Sequence, residues 1–357
     1  MKIALVYDRI NKWGGAERVL LALHELFPDA PLFTAVYSPD KAKWAKIFPN
    51  VIPSYLQKIP ILRNKHELLG TFMPFTFELF DFSGFDLVIS VTSEAAKGII
   101  TGPKTRHICY MLTPTRYLWS GYDFYFKSRL LRSVSRPIIN YLRRWDKIAA
   151  FRPDNLIAIS SEVQKRITRY YNRPSRIIFP PVNIPNKTKP VKREAFYLLV
   201  SRLVAYKRVD LAIKAFNKLG YPLYIVGSGN DGWKLRLTAK RNIKFLGEVS
   251  DSKLDYYYGR CQALIFPQEE DFGITAVEAQ AHGAPVVAFK AGGVLDTVAD
   301  GVTGVFFSRQ EVDSLVSAVA QFKRAGFSRS RLLESAKRFS KARFKKEISK
   351  IVYGDFK

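Results

Sequence analysis

Glu270 and Glu278 stand in the run Phe266-Pro-Gln-Glu-Glu-Asp-Phe-Gly-Ile-Thr-Ala-Val-Glu-Ala-Gln-Ala-His-Gly-Ala-Pro285. Pro267 closes the apolar stretch Ala263–Phe266, helix-favouring residues follow Gly273, and Gly283 and Pro285 stop the helix. Glu270 therefore precedes a helix, and Glu278 sits about one turn inside it. Backbone N–H groups at the helix start lie between them and make a seat for phosphate. A carboxylate beside such a seat repels phosphate, so these two are aimed at something else. Sugar hydroxyls suit them, because an ionised carboxylate only accepts hydrogen bonds. One loop can thus serve a sugar, a diphosphate and a ribose.

Arg202 and Lys207 flank the loop between the apolar stretch Tyr197–Ser201 and a helix beginning near Arg208. Fixed cations there would stabilise a departing nucleoside diphosphate, which gains charge as the sugar leaves. By spacing alone they are two cations among fifty-seven. Gly14 and Gly15 lie between the first strand and the first helix, where glycine lets backbone approach a phosphate closely. Taken singly, such a pair is an ordinary turn signal.

The carboxylate run resembles the signature of the retaining glycosyltransferases of family 4, which have the GT-B fold. The resemblance covers nearly the whole chain. It includes Gly14-Gly-Ala-Glu-Arg18, Tyr197-Leu-Leu-Val-Ser-Arg-Leu-Val-Ala-Tyr-Lys-Arg-Val-Asp-Leu211, Ile225-Val-Gly-Ser-Gly229 and Ala291-Gly-Gly-Val-Leu-Asp-Thr-Val298. Thr113-Pro-Thr-Arg-Tyr-Leu-Trp119 is similar to a hallmark of mannosyltransferases of bacterial surface-polysaccharide assembly.

The resemblance implies catalytic roles for Glu270, Arg202 and Lys207, with Glu270 on the donor sugar's hydroxyls. It implies that Glu278 binds the ribose. The N–H groups of Phe272, Gly273, Ile274 and Thr275 would take the distal phosphate, and Gly14 and Gly15 would close over the diphosphate. Gly292 and Gly293 would lie near the sugar. Arg116, Tyr117 and Trp119 are acceptor-side candidates, because Arg grips phosphate and aromatic rings make platforms for sugars. One position departs from the pattern: Leu112 stands where related enzymes have a histidine. Retaining transfer on one face of the sugar can use the leaving phosphate as base, so activity is expected without that histidine. The alternative is a catalytically impaired scaffold. His107 falls on the opposite strand face and reads as a packing residue.

The elements that must position these residues form two α/β halves. Continuous apolar strands separated by helices imply parallel sheets covered on both faces. The expected fold class is α/β, GT-B, with two doubly wound Rossmann-like domains facing a central cleft. The proline-rich stretch Phe179–Pro190 reads as a linker. The expected division is an acceptor-side domain over 1–182, a nucleotide-sugar domain over 183–335, and a C-terminal helix over 336–357 packing back on the first domain. At 357 residues, two domains are also the natural expectation.

Two cysteines in apolar stretches read as buried and reduced, fitting a cytoplasmic chain. No metal-ligand spacing occurs among the four histidines, so no cofactor or metal is expected. A net charge of +26 calls for an anionic partner. The chain lacks a recognised nucleic-acid motif, which leaves phosphate-bearing substrates and an anionic membrane surface. Segment 127–152 interleaves Arg and Lys with aromatic and aliphatic residues, and Ile59–Leu62 and Leu68–Phe77 are apolar. That mixture suits a protein peripheral at the inner face of the plasma membrane. The resemblance implies a nucleotide-sugar donor, GDP-mannose first and UDP-hexose next. It implies a glycan or polyprenyl-diphosphate-linked acceptor.

Overall fold

The computed structural model describes residues 1–59, 70, 72–126, 128–185 and 191–354. The chain divides into two compact units, one comprising Met1–Pro180 and the chain from Phe344 on, the other Pro181–Arg343.

In the first unit the strands are β1 (Ile3–Tyr7), β2 (Leu32–Thr34), β3 (Val51–Pro53), β4 (Leu87–Thr92), β5 (Arg106–Met111), β6 (Asn155–Ala158) and β7 (Arg176–Ile177). They pair in parallel in the order β3-β2-β1-β4-β5-β6-β7. Every residue of β1 and β4 is buried, as expected for strands covered on both faces. The helices used below are α1 (Gly15–His24), α2 (Met73–Glu78), α3 (Arg129–Ala149) and α4 (Ser161–Tyr171). Ser160 caps α4 by accepting the Val163 N–H at 3.1 Å.

The second unit holds β8 (Tyr197–Val200), α5 (Val209–Leu219), β9 (Leu223–Val226), β10 (Ile243–Gly247), α6 (Asp251–Arg260) and β11 (Leu264–Phe266). It continues through α7 (Ile274–Ala281), β12 (Val286–Phe289), β13 (Gly304–Phe307), α8 (Val312–Arg324) and α9 (Arg329–Lys337). Its sheet is parallel, in the order β10-β9-β8-β11-β12-β13. One apolar cluster, including Leu199, Ile213, Phe216 and Ile265, fills one face. Another, including Leu198, Leu264, Ala276 and Val286, fills the other. In both sheets the strand order reverses beside the first strand, between β1 and β4 and between β8 and β11. Doubly wound sheets bind ligands at the carboxyl ends of the strands flanking that reversal.

The second division of the chain comes later than the expected break at 335/336, within α10 (Lys341–Tyr353). Phe339 packs its ring on Phe272 at 5.5 Å and its carbonyl accepts the Val182 N–H at 2.9 Å, holding this stretch in the second unit. Phe344 then packs on Tyr110 at 5.7 Å, and Arg106 donates to the Ile351 carbonyl, both within the first unit. The proline-rich segment is also less of a linker than its composition suggests. Val182 is fully buried and bridges to Ser340; residues 186–190 lie outside the described residues, as do Lys127 and residues 60–69 and 71 of the apolar stretches. Among the described residues no helix is long and apolar enough to cross a membrane.

His107 is wholly buried on β5, with Nε2 2.8 Å from Ser90 Oγ. Burial, with Arg152 and Arg173 adding to it, pulls its pKa down to about 3. The unfolded chain therefore binds a proton that the folded chain refuses between pH 6.5 and about 3. Stability is fully present above pH 6.5 and falls as the solution is acidified through that window. His107→Gln should flatten this acid limb, removing a few kcal/mol of pH dependence, read from denaturant midpoints at pH 7 and pH 4.5. An unchanged limb would show that other groups carry it.

Both thiols are buried. Cys109 lies on β5, whereas Cys261 caps the end of α6 rather than lying within a strand, and burial pushes each up to about 12.

Candidate functional site

The carboxyl ends of β8 and β11 bring the principal sequence candidates together. The chain leaves β8 through Ser201–Val204, makes a short 3-10 turn at Ala205–Lys207 and enters α5. The residue joining turn to helix, Arg208, is left-handed at φ 51°, an uncommon conformation outside glycine. Its guanidinium donates to Gln310 Oε1 at 3.0 Å, and Gln310 donates in turn to the Pro267 carbonyl at 2.8 Å. This chain of bonds ties the β8 loop to the β11 loop. Lys207 Nζ forms an ion pair with Glu270 Oε1, which also accepts Gln268 Nε2 at 2.9 Å. Arg202 is exposed, donates to the Tyr206 hydroxyl, and lies with Lys207 against the Tyr206 ring, at 5.9 and 5.2 Å.

Glycines let the neighbouring loops close to this distance. A Cβ on Gly227 would lie 2.0 Å from the Ser201 carbonyl oxygen, and one on Gly229 would lie 2.4 Å from that of Leu203. Gly292 and Gly293 do the same for the carboxylate loop. A Cβ on either would meet the backbone of Glu270 or Asp271 within 2.4 Å, and the Gly293 N–H donates to the Glu270 carbonyl at 2.8 Å. They brace the backbone that carries Glu270.

Gly273, at φ 86°, turns the chain into α7. Phe272 is buried against Phe339, so its ring anchors the loop while its backbone enters the helix start. Thr275 Oγ1, in the first turn of α7, and Gln268 Oε1, in the loop before it, are buried and make no hydrogen bond among the described residues. Buried polar atoms ordinarily find a partner. Here two such atoms accompany a helix N-terminus and a lysine. Glu278 is buried on α7 and accepts the Tyr258 hydroxyl at 2.9 Å. Tyr258 stacks on His282, whose Nε2 lies 3.1 Å from Asp255 Oδ1. Tyr258 and Gln268 escaped sequence reading: one is an aromatic on another helix, the other an unremarkable amide.

The remaining candidates belong to the first unit. Gly14 has extended backbone, and Gly15 begins α1. A Cβ on Gly14 would lie 3.2 Å from Glu17 Oε2. Glu17 is buried and accepts the Tyr7 hydroxyl at 2.8 Å; burial raises its pKa. At the carboxyl ends of β1 and β4, Asp8 accepts Thr92 Oγ1 and the backbone N–H groups of Ser93, Glu94, Ala95 and Ala96 at 2.7–3.1 Å. Arg9 pairs with Glu94, whose pKa burial raises. Burial, then Glu94, holds the Tyr117 phenol well above its ordinary value. Arg116 is half-buried in the same loop.

Trp119 faces elsewhere. Its indole N–H donates to Asp146 Oδ2 at 2.7 Å, and its ring stacks on Tyr170 at 5.0 Å. Arg143 lies over the same ring at 5.5 Å. These contacts give Trp119 a packing role in the loop. Leu112 follows β5 and donates its N–H to the Thr92 carbonyl at 2.8 Å.

Two parallel-sheet α/β units with this strand order define the GT-B fold of glycosyltransferases. Solved structures share it over 99% of both chains. Among them are Anabaena HepE in complex with UDP, at TM-score 0.73 and 19% identity, and the lipopolysaccharide outer core galactosyltransferase WaaB, at 0.67 and 19%. Residues 183–343 match the family described as "Glycosyl transferases group 1". An uncharacterized glycosyltransferase of Methanocaldococcus jannaschii is 26% identical over 207 residues, 56% of this chain and 58% of that one. The glycogen synthase of Thermus thermophilus is 31% identical over 150 residues, 40% and 34% respectively. The chain therefore spans little more than half of the first relative and a third of the second. Together these comparisons give the GT-B fold for the whole chain and a match to group 1 glycosyl transferases over residues 183–343.

Proposed function

We propose that this protein is a retaining, metal-independent hexosyltransferase that moves a sugar from a nucleoside diphosphate to a glycan or lipid-diphosphate-linked acceptor in cell-surface glycan assembly. The observation carrying this reading is the Lys207–Glu270 ion pair beside the N-terminus of α7, where Thr275 Oγ1 and Gln268 Oε1 are buried without a hydrogen-bond partner among the described residues. Lys207 and the helix start supply positive potential for a diphosphate, Arg202 adds to it, and Glu270 supplies an acceptor for sugar hydroxyls. Glu278, held by Tyr258, is the acceptor for ribose hydroxyls. In the first unit Gly14, Gly15, Arg116 and Tyr117 are the donor- and acceptor-side candidates.

Two donors come first, GDP-mannose from the resemblance of Thr113–Trp119 and UDP-glucose, which HepE binds. A thermal-shift screen of nucleoside diphosphates and their sugars should single out one base by ligand stabilisation. Turnover of that donor should survive EDTA. Loss of turnover in EDTA, restored by a divalent cation, would refute metal independence. Binding without hydrolysis or transfer across the whole panel would instead establish the scaffold alternative raised by Leu112.

A further inference from the structure

Helix α3 has three faces rather than two. With each residue turned about 100° from the last, Ile139, Leu142, Asp146 and Ala149 fall on one side, and all four are buried. Leu130, Val134, Ile138, Tyr141 and Ile148 fall on a second side, and all are exposed, Leu130 at 76% and Val134 at 69%. The third side carries Arg129, Arg132, Arg136, Arg143, Arg144 and Lys147. Asp146 is the helix's single acid, and it is buried. Core packing explains the first face and solvation the third. Neither explains a file of exposed aliphatic side chains running the length of the helix.

A neighbouring element also carries exposed apolar side chains. Trp145 donates its indole N–H to Glu78 Oε1 at 2.7 Å, which joins α3 to α2. Around α2, Phe72, Phe75 and Leu79 are exposed at 47%, 52% and 71%. Scattered exposed apolar residues are normal, but a contiguous patch rimmed by charge marks an interaction surface.

We infer that α3, with the exposed side of α2, is a docking face for an anionic phospholipid bilayer, on which the helix lies in the plane of the headgroups. A helix of 21 residues is roughly 30 Å long. Its aliphatic side enters the acyl boundary, and its arginines reach lipid phosphates from one flank. Nucleic acid would satisfy the cations and leave Leu, Val and Ile in water. A protein partner would be expected to fill a pocket, whereas this face is the convex side of a helix. A lipid surface takes both chemistries at once. The inference stands apart from the donor-site reading, since it requires neither a nucleotide sugar nor turnover.

The test is flotation of the whole protein with neutral phosphatidylcholine vesicles and with vesicles carrying about one-third phosphatidylglycerol. The wild-type protein should float with the anionic vesicles and much less with the neutral ones. Replacing Leu130, Val134 and Ile138 together by Gln should cut partitioning at least tenfold, with the melting temperature unchanged. Replacing Arg129, Arg136 and Arg144 together by Gln should cut it roughly a hundredfold on anionic vesicles. Equal flotation on both vesicle types, or none at low salt, overturns the inference. So does a Leu130/Val134/Ile138 variant that still floats. If that variant instead lost a dimer on size exclusion, the face would be a contact between copies, and the inference would fall.

Discussion

Glu270→Ala should lower kcat about 10²–10³-fold while leaving nucleoside diphosphate binding largely intact. The carboxylate lies beside Lys207 and Gln268, on a loop whose backbone Gly292 and Gly293 brace. Truncating it removes the sugar's acceptor without altering the helix start that seats phosphate. Lys207→Ala should differ in kind, weakening diphosphate stabilisation and turnover together, because the same cation serves ground state and leaving group. Kinetics with the donor found in the screen, paired with thermal shift by the free diphosphate, separate the two. Full activity in Glu270→Ala would mean the sugar lies elsewhere. Equal loss of diphosphate binding in both variants would mean that Glu270 acts only by holding Lys207.

Asp146→Ala should destabilise the first unit by about 3–5 kcal/mol, the range for breaking a buried ion pair from one side. Asp146 and Lys97 are each 1% exposed and pair at 2.6 Å. Asp146 also accepts Thr115 Oγ1 at 2.8 Å, Trp119 Nε1 at 2.7 Å and Tyr171 Oη at 2.6 Å. Its removal takes the counter-ion from the buried Lys97 ammonium and the acceptor from the Trp119 and Tyr171 donors, while Lys97 and Thr115 keep the Glu94 carbonyl. For a unit of this size the loss corresponds to a drop of roughly 10 °C in melting temperature. Thr115 and Trp119 flank Arg116 and Tyr117, so the same change should loosen the acceptor-side loop. Replacing both charges, Lys97→Met with Asp146→Leu, should cost less than either single change. A drop under about 1 kcal/mol in Asp146→Ala would show that water reaches the network.

Legibility in the sequence followed length and period. The apolar runs over Ile3–Tyr7, Leu223–Val226 and Val286–Phe289 coincide with strands, because burial on both faces leaves an uninterrupted signal. The edge strands β3 and β7, and β2 beside β3, are two or three residues long, and β3 includes Pro53; such stretches carry no period to read. Residues 127–152 showed their mixed character but not their geometry. With aliphatic residues on two faces and arginines on a third, α3 lacks the single apolar stripe of an ordinary surface helix.

By itself the sequence determined the two α/β halves and the carboxylate loop that opens α7, since local propensity and alternation act between near neighbours. Tertiary structure alone decided which distant side chains meet. Lys207 reaches Glu270 across 63 positions of chain, and Asp146 finds Lys97 across 49. A cation's partner is chosen by where parallel strands end and by which buried charge has no water to turn to. Neither condition is written in the spacing of residues along the chain.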